Sequence, residues 1–179
     1  MKEHGQPWSV AVAVDEIPAG GLHRVIEAPA EVRRGLAGLA GVRDLALLRA
    51  EFDLTRRGGG VHVSGRVQAQ VGQTCVVSLE PIENAIDEAV DVLFAPGAAA
   101  GGDELAAEPG IDGRDPPEPL VDGIIDLGAL ATEFLLLGVD PYPRKAGAEF
   151  AAPKVEDAGE RPFAALEALK KRLGPAGTA

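Results

Sequence analysis

From Val61 to Val71 apolar and polar positions alternate without a break. Val61, Val63, Gly65, Val67, Ala69 and Val71 share one parity; His62, Ser64, Arg66, Gln68 and Gln70 share the other. A period of two predicts a β-strand with one face on a core and one in water, whereas a helix would scatter the same residues around its circumference. The alternation recurs just upstream, where Leu48, Ala50, Phe52 and Leu54 interleave with Arg49, Glu51, Asp53 and Thr55. Between the two runs lies Arg56-Arg57-Gly58-Gly59-Gly60, a flexible reversal. With a loop from Arg57 to Gly60, Leu54 faces Val63, Phe52 faces Gly65 and Ala50 faces Val67, so the apolar faces coincide. A one-residue slip would set Leu54 against His62 and turn one face outward. Gly65 in this register leaves room for the Phe52 ring. Gly72-Gln73-Thr74 interrupts the pattern and predicts a bulge or kink. Cys75 to Leu79 resumes an apolar run, and Glu80 to Asn84 is expected to reverse the chain. Ile86, Val90, Val92 and Phe94 then interleave with Asp87 and Asp91 as the third strand of a meander. The Val61–Val71 strand is therefore expected at the centre of an antiparallel sheet.

Other segments add shorter elements. Trp8–Val14 and Gly21–Glu27 are extended candidates separated by the turn residues Pro18 and Gly20. Pro29 suits the first turn of a helix, and Val32, Leu36 and Leu39 follow at helical spacing, predicting a helix over Pro29–Ala40. Val121–Ile125 is short and β-like. Asp126 is a good N-cap for a helix whose apolar face is Leu127, Leu130, Ala131, Phe134 and Leu135, with Gly138 at the position of a C-terminal glycine. Two prolines stiffen the loop Asp140-Pro141-Tyr142-Pro143-Arg144-Lys145. A last helix is expected from Pro162, with a stripe of Phe163, Leu166, Leu169 and Leu173 and a stop at Gly174-Pro175. The fold class is thus α+β: an antiparallel sheet of about five or six strands with helices packed on one face. One domain is expected over 1–179, with an ordered core over 8–95 and 119–173.

Composition changes this picture in two places. Hydrophobic residues make up 46% of the chain but aromatics only 4%, so the core must be built from Val, Leu, Ile and Ala. The formal net charge of −11 is uneven: residues 1–75 carry 9 basic and 8 acidic side chains, the remainder 8 and 20. An acidic chain does not bind nucleic acid through a general field, so any RNA contact needs a local basic patch or a basic protein partner. From Pro96 to Glu118 the chain is Gly, Ala, Pro and acids, which predicts a disordered acidic insertion over about 96–118. The single cysteine excludes a disulfide framework and fits a reducing cytoplasm. No apolar run approaches the ~20 residues of a membrane span. The expected state is cytoplasmic, without membrane or DNA as partner.

Chemistry-bearing constellations are few. Cys75 lies beside Val76 and Val77, an apolar setting expected to raise its thiol pKa and leave it inert. One Cys and three scattered His do not make a zinc site, and the acids lack calcium-loop spacing. Walker, nucleophile-elbow and dinucleotide signatures are all missing, so no cofactor is expected. Two basic surfaces remain as binding candidates. Arg56 and Arg57 flank the glycine reversal. The loop Asp140–Lys145 sets Tyr142 between prolines beside Arg144 and Lys145, as an RNA or protein recognition element, or as a rigid corner with Tyr142 on the core edge and Arg144 paired with Asp140.

Two blocks resemble the YceD family. One is Gln73-Thr74-Cys75-Val76-Val77-Ser78-Leu79-Glu80-Pro81-Ile82 with the strand ending at Phe94. The other runs from Leu120-Val121-Asp122-Gly123 and Asp126-Leu127-Gly128 through Glu133-Phe134-Leu135-Leu136-Leu137 to Asp140-Pro141-Tyr142-Pro143-Arg144, with Gly147 and Phe150. Pro162-Phe163-Ala164 before a Leu-rich helix resembles the alphaproteobacterial end of that family. The resemblance implies a role in accumulation of 23S ribosomal RNA and carries over no catalytic residue. Ser78 stands where many members have a second cysteine, which argues against a metal or redox role for Cys75. The expected function is non-enzymatic support of 23S rRNA processing, stability or early large-subunit assembly through a binding surface. The expected partner is large-subunit precursor rRNA or a basic ribosomal protein. The alternatives are an enzyme acting on RNA and an acidic adaptor for a basic ribosomal protein.

Overall fold

The structure, a computed structural model, describes residues 7–97 and 116–150, together with Leu166. The chain forms two compact units, 1–148 and 149–179. The core of the expected acidic insertion lies outside the described residues, as does the last helix apart from Leu166, which is helical and exposed.

The first unit contains β1 (Ala11–Ala13), a 3-10 turn (Val14–Glu16), β2 (Leu22–Glu27), α1 (Ala30–Leu39), β3 (Asp44–Arg57) and β4 (Gly60–Thr74). After these come β5 (Pro81–Ala95), β6 (Glu118–Pro119), β7 (Ile124–Asp126) and α2 (Leu127–Gly138). Five strands form the main sheet in the order β2-β3-β4-β5-β6, and β1 pairs with β7 separately. The α+β expectation holds, with β4 at the centre of the sheet. The sheet is mixed rather than wholly antiparallel: β6 runs parallel to β5, at Phe94↔Glu118 and Ala95↔Pro119. Glu118 therefore leaves the expected acidic insertion and joins the sheet.

The register between β3 and β4 is the one the alternation requires, with Leu54↔Val63, Phe52↔Gly65 and Ala50↔Val67. Leu54, Phe52, Val63 and Val67 are completely buried. Each such side chain contributes roughly 1.5–3 kcal/mol by leaving water. Gly65 is bare for a different reason from the one expected. A Cβ there would strike the Glu51 carbonyl and come within 3.0 Å of the Phe52 Cα, so it is neighbouring backbone, not the ring, that excludes a side chain. The irregularity expected at Gly72–Thr74 lies instead across the sheet: Leu45 pairs with Val71 and Leu47 with Gln70, leaving Ala46 as the extra residue. The bulge resets parity, which is why Leu45 and Leu48, three apart, are both buried.

The hairpin between β4 and β5 also differs from expectation. Thr74 pairs with Pro81, so the reversal is Cys75–Glu80 and the segment Pro81–Asn84 belongs to β5. Leu79 adopts a left-handed φ of 59° in that turn and is 76% exposed. The apolar run Cys75–Leu79 is thus bent rather than extended.

Both helices cover the same face of the sheet, contributing Leu36, Ala37, Leu127, Leu130, Ala131 and Leu135 to one continuous core. In α1 the buried positions are Leu36 and Ala37, while Leu39 is exposed, so the helix is rolled relative to the expected stripe. Pro29 is the N-cap rather than a first-turn residue. In α2 the Asp126 carboxylate accepts from Gly128 N at 3.0 Å and Ala129 N at 3.1 Å. It also accepts from Val10 N at 2.8 Å, tying the helix start to the N-terminal segment. Burial pushes the Asp126 carboxyl up, and these bonds with one from the Ser9 hydroxyl outweigh it, holding the group below its usual range. Gly138 is the last residue of α2, not a left-handed cap beyond it. A Cβ there would collide with the Ile86 side chain, so the glycine permits close approach of α2 to β5.

The other face of the sheet has no helix against it among the described residues. It carries the exposed pairs His23–Asp53 at 2.9 Å, His62–Asp91 at 2.7 Å and Arg66–Asp87 at 3.1 Å.

Candidate binding surface at one end of the sheet

β4 ends at Thr74, and α2 ends at Gly138 beside the same end of the sheet. Two segments some 65 residues apart in sequence therefore meet: the turn Cys75–Glu80 and the loop Asp140–Lys145. Val76 N donates to the Pro143 carbonyl at 2.9 Å, and Lys145 Nζ to the Glu80 carboxylate at 3.0 Å. Gln73 Nε2 donates to the Asp140 carbonyl at 2.8 Å while its Oε1 accepts from Asn84 Nδ2 at 2.7 Å. Gln73 is 6% exposed and has both ends of its amide satisfied. Asp140 Oδ1 accepts from Tyr142 N at 2.8 Å, which closes a local Asx turn. Pro143 is buried in the seam, so the loop is fixed from both sides.

Cys75 sits at the centre of this junction. Its side chain is sealed from solvent, yet its thiol is lowered to about 6 rather than raised. The largest cause is the backbone N–H of Lys145, 3.3 Å from Sγ. Hydrogen bonds from Ser78 and the N–H of Val77 add to it, and together they outweigh the desolvation. The expected apolar setting is absent because N–H donors surround the sulfur and the adjacent Val76 is 44% exposed. Across the seam, hydrogen bonding to Lys145 and Ser78 holds the Glu80 carboxyl below its usual range.

The candidate residues fall in two separate places. Asp140, Tyr142, Arg144 and Lys145 belong to the junction. Tyr142 is 73% exposed, not packed on the core edge. Arg144 is exposed and makes no ion pair among the described residues, while Asp140 binds Tyr142 N in place of the expected Arg144. Lys145 is tied to Glu80. Arg56 and Arg57 lie at the opposite end of β4, about 45 Å away at the usual rise of a strand. Arg56 donates to the Val14 carbonyl at 2.6 Å and so clamps the N-terminal segment.

Two junction residues were not singled out from the sequence. Arg43, exposed, lines the same cleft as Gln73, Val76, Asp140 and Pro143. It comes from the α1–β3 connection, and nothing local marks it. Gln73 did leave a signal, since it continues the odd parity of Val67, Ala69 and Val71 as a polar side chain in a core register. Among the described residues no group of three or more His, Cys, Asp or Glu is placed to hold a metal ion. Nor is any helix there long and apolar enough to cross a membrane.

These features define an α+β protein with one helix-covered sheet face and a pinned loop that exposes an aromatic and a cation at the sheet's end. The chain matches the family model described as large ribosomal RNA subunit accumulation protein YceD over residues 63–170, most of its length, and it belongs to that family. The matched stretch includes both halves of the junction. No curated protein and no solved structure matches the chain.

Proposed function

We propose that this protein supports large-subunit ribosomal RNA accumulation as a non-enzymatic cytoplasmic factor, and that the junction of Cys75–Glu80 with Asp140–Lys145 is its RNA-contacting surface. The observation that carries the reading is the pinned loop. Its backbone and buried Pro143 are held by the β4–β5 turn, while Tyr142 and Arg144 remain exposed. Ordering such a surface on binding costs little, because the loop is already fixed. An aromatic ring can stack on an unpaired base while adjacent cations neutralise phosphate. Arg43 supplies a further cation, on the cleft it lines with Gln73, Val76, Asp140 and Pro143. The family description points to the large ribosomal RNA as the context in which this surface works.

The test is the double change Tyr142→Ala with Arg144→Ala. Both side chains are exposed, and Lys145 and both prolines stay in place. Circular dichroism and thermal unfolding should match the parent. Co-sedimentation with large-subunit precursors on sucrose gradients should be lost. A folded variant that sediments with the precursors like the parent would refute the assignment of this surface.

A further inference from the structure

At the other end of the sheet a groove runs between the last residues of β5 and the outer side of α2. Val121, Ile124, Phe134 and Leu137 line it, and Leu93 stands at its rim, on the uncovered side of the sheet edge. Four of them are large side chains left open to water: Leu93 at 40%, Val121 at 63%, Ile124 at 48% and Leu137 at 77% exposed. Apolar side chains this exposed and this concentrated mark an interaction surface rather than a random scatter. The groove's charged residues are mainly acidic, with Arg57 as the one cation in its lining among the described residues. Asp91 is matched by His62 and Asp126 by the start of α2, whereas Glu118 and Glu133 accept no hydrogen bond or ion pair among the described residues. Burial, and then repulsion from Glu118, push the Glu133 carboxyl above its usual range. Two carboxylates beside apolar side chains are what a cation on an apolar-bearing chain would relieve. The same charges repel a phosphate backbone. The strand edge is also available: β6 covers β5 only at Phe94 and Ala95, so among the described residues no strand pairs with the outer edge of Asp91–Leu93. An extended segment laid there could add backbone hydrogen bonds to side-chain contacts.

We propose that this groove binds a basic segment of a partner protein, one whose apolar side chains alternate with lysine or arginine. The apolar side chains would enter between Val121, Ile124 and Leu137, and the cations would meet Glu118 and Glu133. This site shares no residue with the RNA-contacting surface, though α2 carries it as far as Leu137, three residues before Asp140, and it does not depend on that surface.

The test uses the full chain and two fluorescein-labelled probes of equal length, a peptide alternating lysine with leucine and an oligolysine, with fluorescence anisotropy as readout. The alternating peptide should bind at least about tenfold more tightly, which corresponds to about 1.4 kcal/mol. Glu118→Lys with Glu133→Lys should weaken it by about tenfold or more. The same charge change on the uncovered sheet face, Glu51→Lys with Asp53→Lys, should alter it by no more than about twofold. Ile124→Ser with Leu137→Ser should remove the advantage over oligolysine. Arg144→Ala should leave all of these values unchanged, so failure here is distinguishable from failure of the RNA-contacting surface. Equal losses from the two charge reversals would overturn the proposal in favour of a general acidic field. Equal affinity for the two probes would overturn it by removing the apolar component. A dimer in sedimentation velocity that the serine pair dissociates would also overturn it, because the groove's occupant would then be a second copy of the chain.

Discussion

Sealing a thiol from water ordinarily raises its pKa, because the thiolate loses its solvation. Cys75 departs from that rule because the chain supplies three N–H donors in place of water, one of them from Lys145, seventy residues away. A thiol lowered from 9.0 to about 6 in the folded state contributes stability that is fully present above pH 9 and lost as pH falls through about 6. Cys75→Ala should therefore cost little beyond its small cavity near pH 6, on the order of 1 kcal/mol. Its cost relative to the parent should grow as pH rises from 6 toward 9, read from urea midpoints at several pH values. A cost independent of pH would mean that the thiol stays protonated in the fold. Nothing in Cys75-Val76-Val77-Ser78 foretells this, since the decisive donor is brought by the loop after α2. Leu79 carries a related lesson. A left-handed backbone at a leucine costs about 1–2 kcal/mol, and the side chain is not repaid by burial. The turn holds it exposed beside Val76 at the candidate surface.

Among the elements, α2 was the most legible. Its apolar spacing and its Asp126 cap appear in the structure as the sequence predicts. Its end was misjudged, because a glycine near a helix terminus fits two roles and only packing separates them. Gly138 is bare because Ile86 occupies the space its Cβ would need. That gives a prediction with an unusual sign. Gly→Ala at an exposed helical position stabilises by about 0.5–1 kcal/mol. Gly138→Ala should instead destabilise by about 1–3 kcal/mol, since Ile86 is 5% exposed and the site is overfilled. Thermal unfolding decides the sign, and a raised Tm would mean that the end of α2 is not seated on β5. The β-meander shows the same division. The pairing of β3 with β4 was legible because a slip would expose the whole apolar face. The Ala46 bulge and the Cys75–Glu80 reversal were not, because both replace one short run of small apolar residues with another conformation of the same composition.

At the scale of the whole molecule, β4 separates two ends of unlike chemistry. One end presents Tyr142, Arg144 and Arg43; the other presents an apolar groove with Glu118 and Glu133. A net charge of −11 opposes RNA binding over distances up to the Debye length, about 8 Å in physiological salt, so the cationic end must act at contact range. Affinity for a single-stranded large-subunit rRNA fragment should thus be modest and fall as salt is raised. The slope of log affinity against log salt should be shallow, at about 0.7 per phosphate neutralised. Arg144→Ala should lower that slope by about one contact. An unchanged slope would place the phosphate contacts elsewhere.

Alternation and spacing in the chain determined by themselves the α+β class, the β3–β4 register, the helix after Asp126 and the stiffness of Asp140–Lys145. These are properties of neighbours in sequence: parity, caps and prolines act over a few residues and need no partner to be recognised. The tertiary structure alone decided that Cys75 is surrounded by donors and that Lys145 is spent on Glu80. It also decided that Arg43 joins the junction while Arg56 and Arg57 do not, and that Glu118 and Glu133 face a common groove. Each of those depends on which distant segments a 15-residue strand holds together and which it holds apart. A sequence carries that information only through the fold, because charge and hydrogen bonding act across a few ångströms of space whatever the separation along the chain.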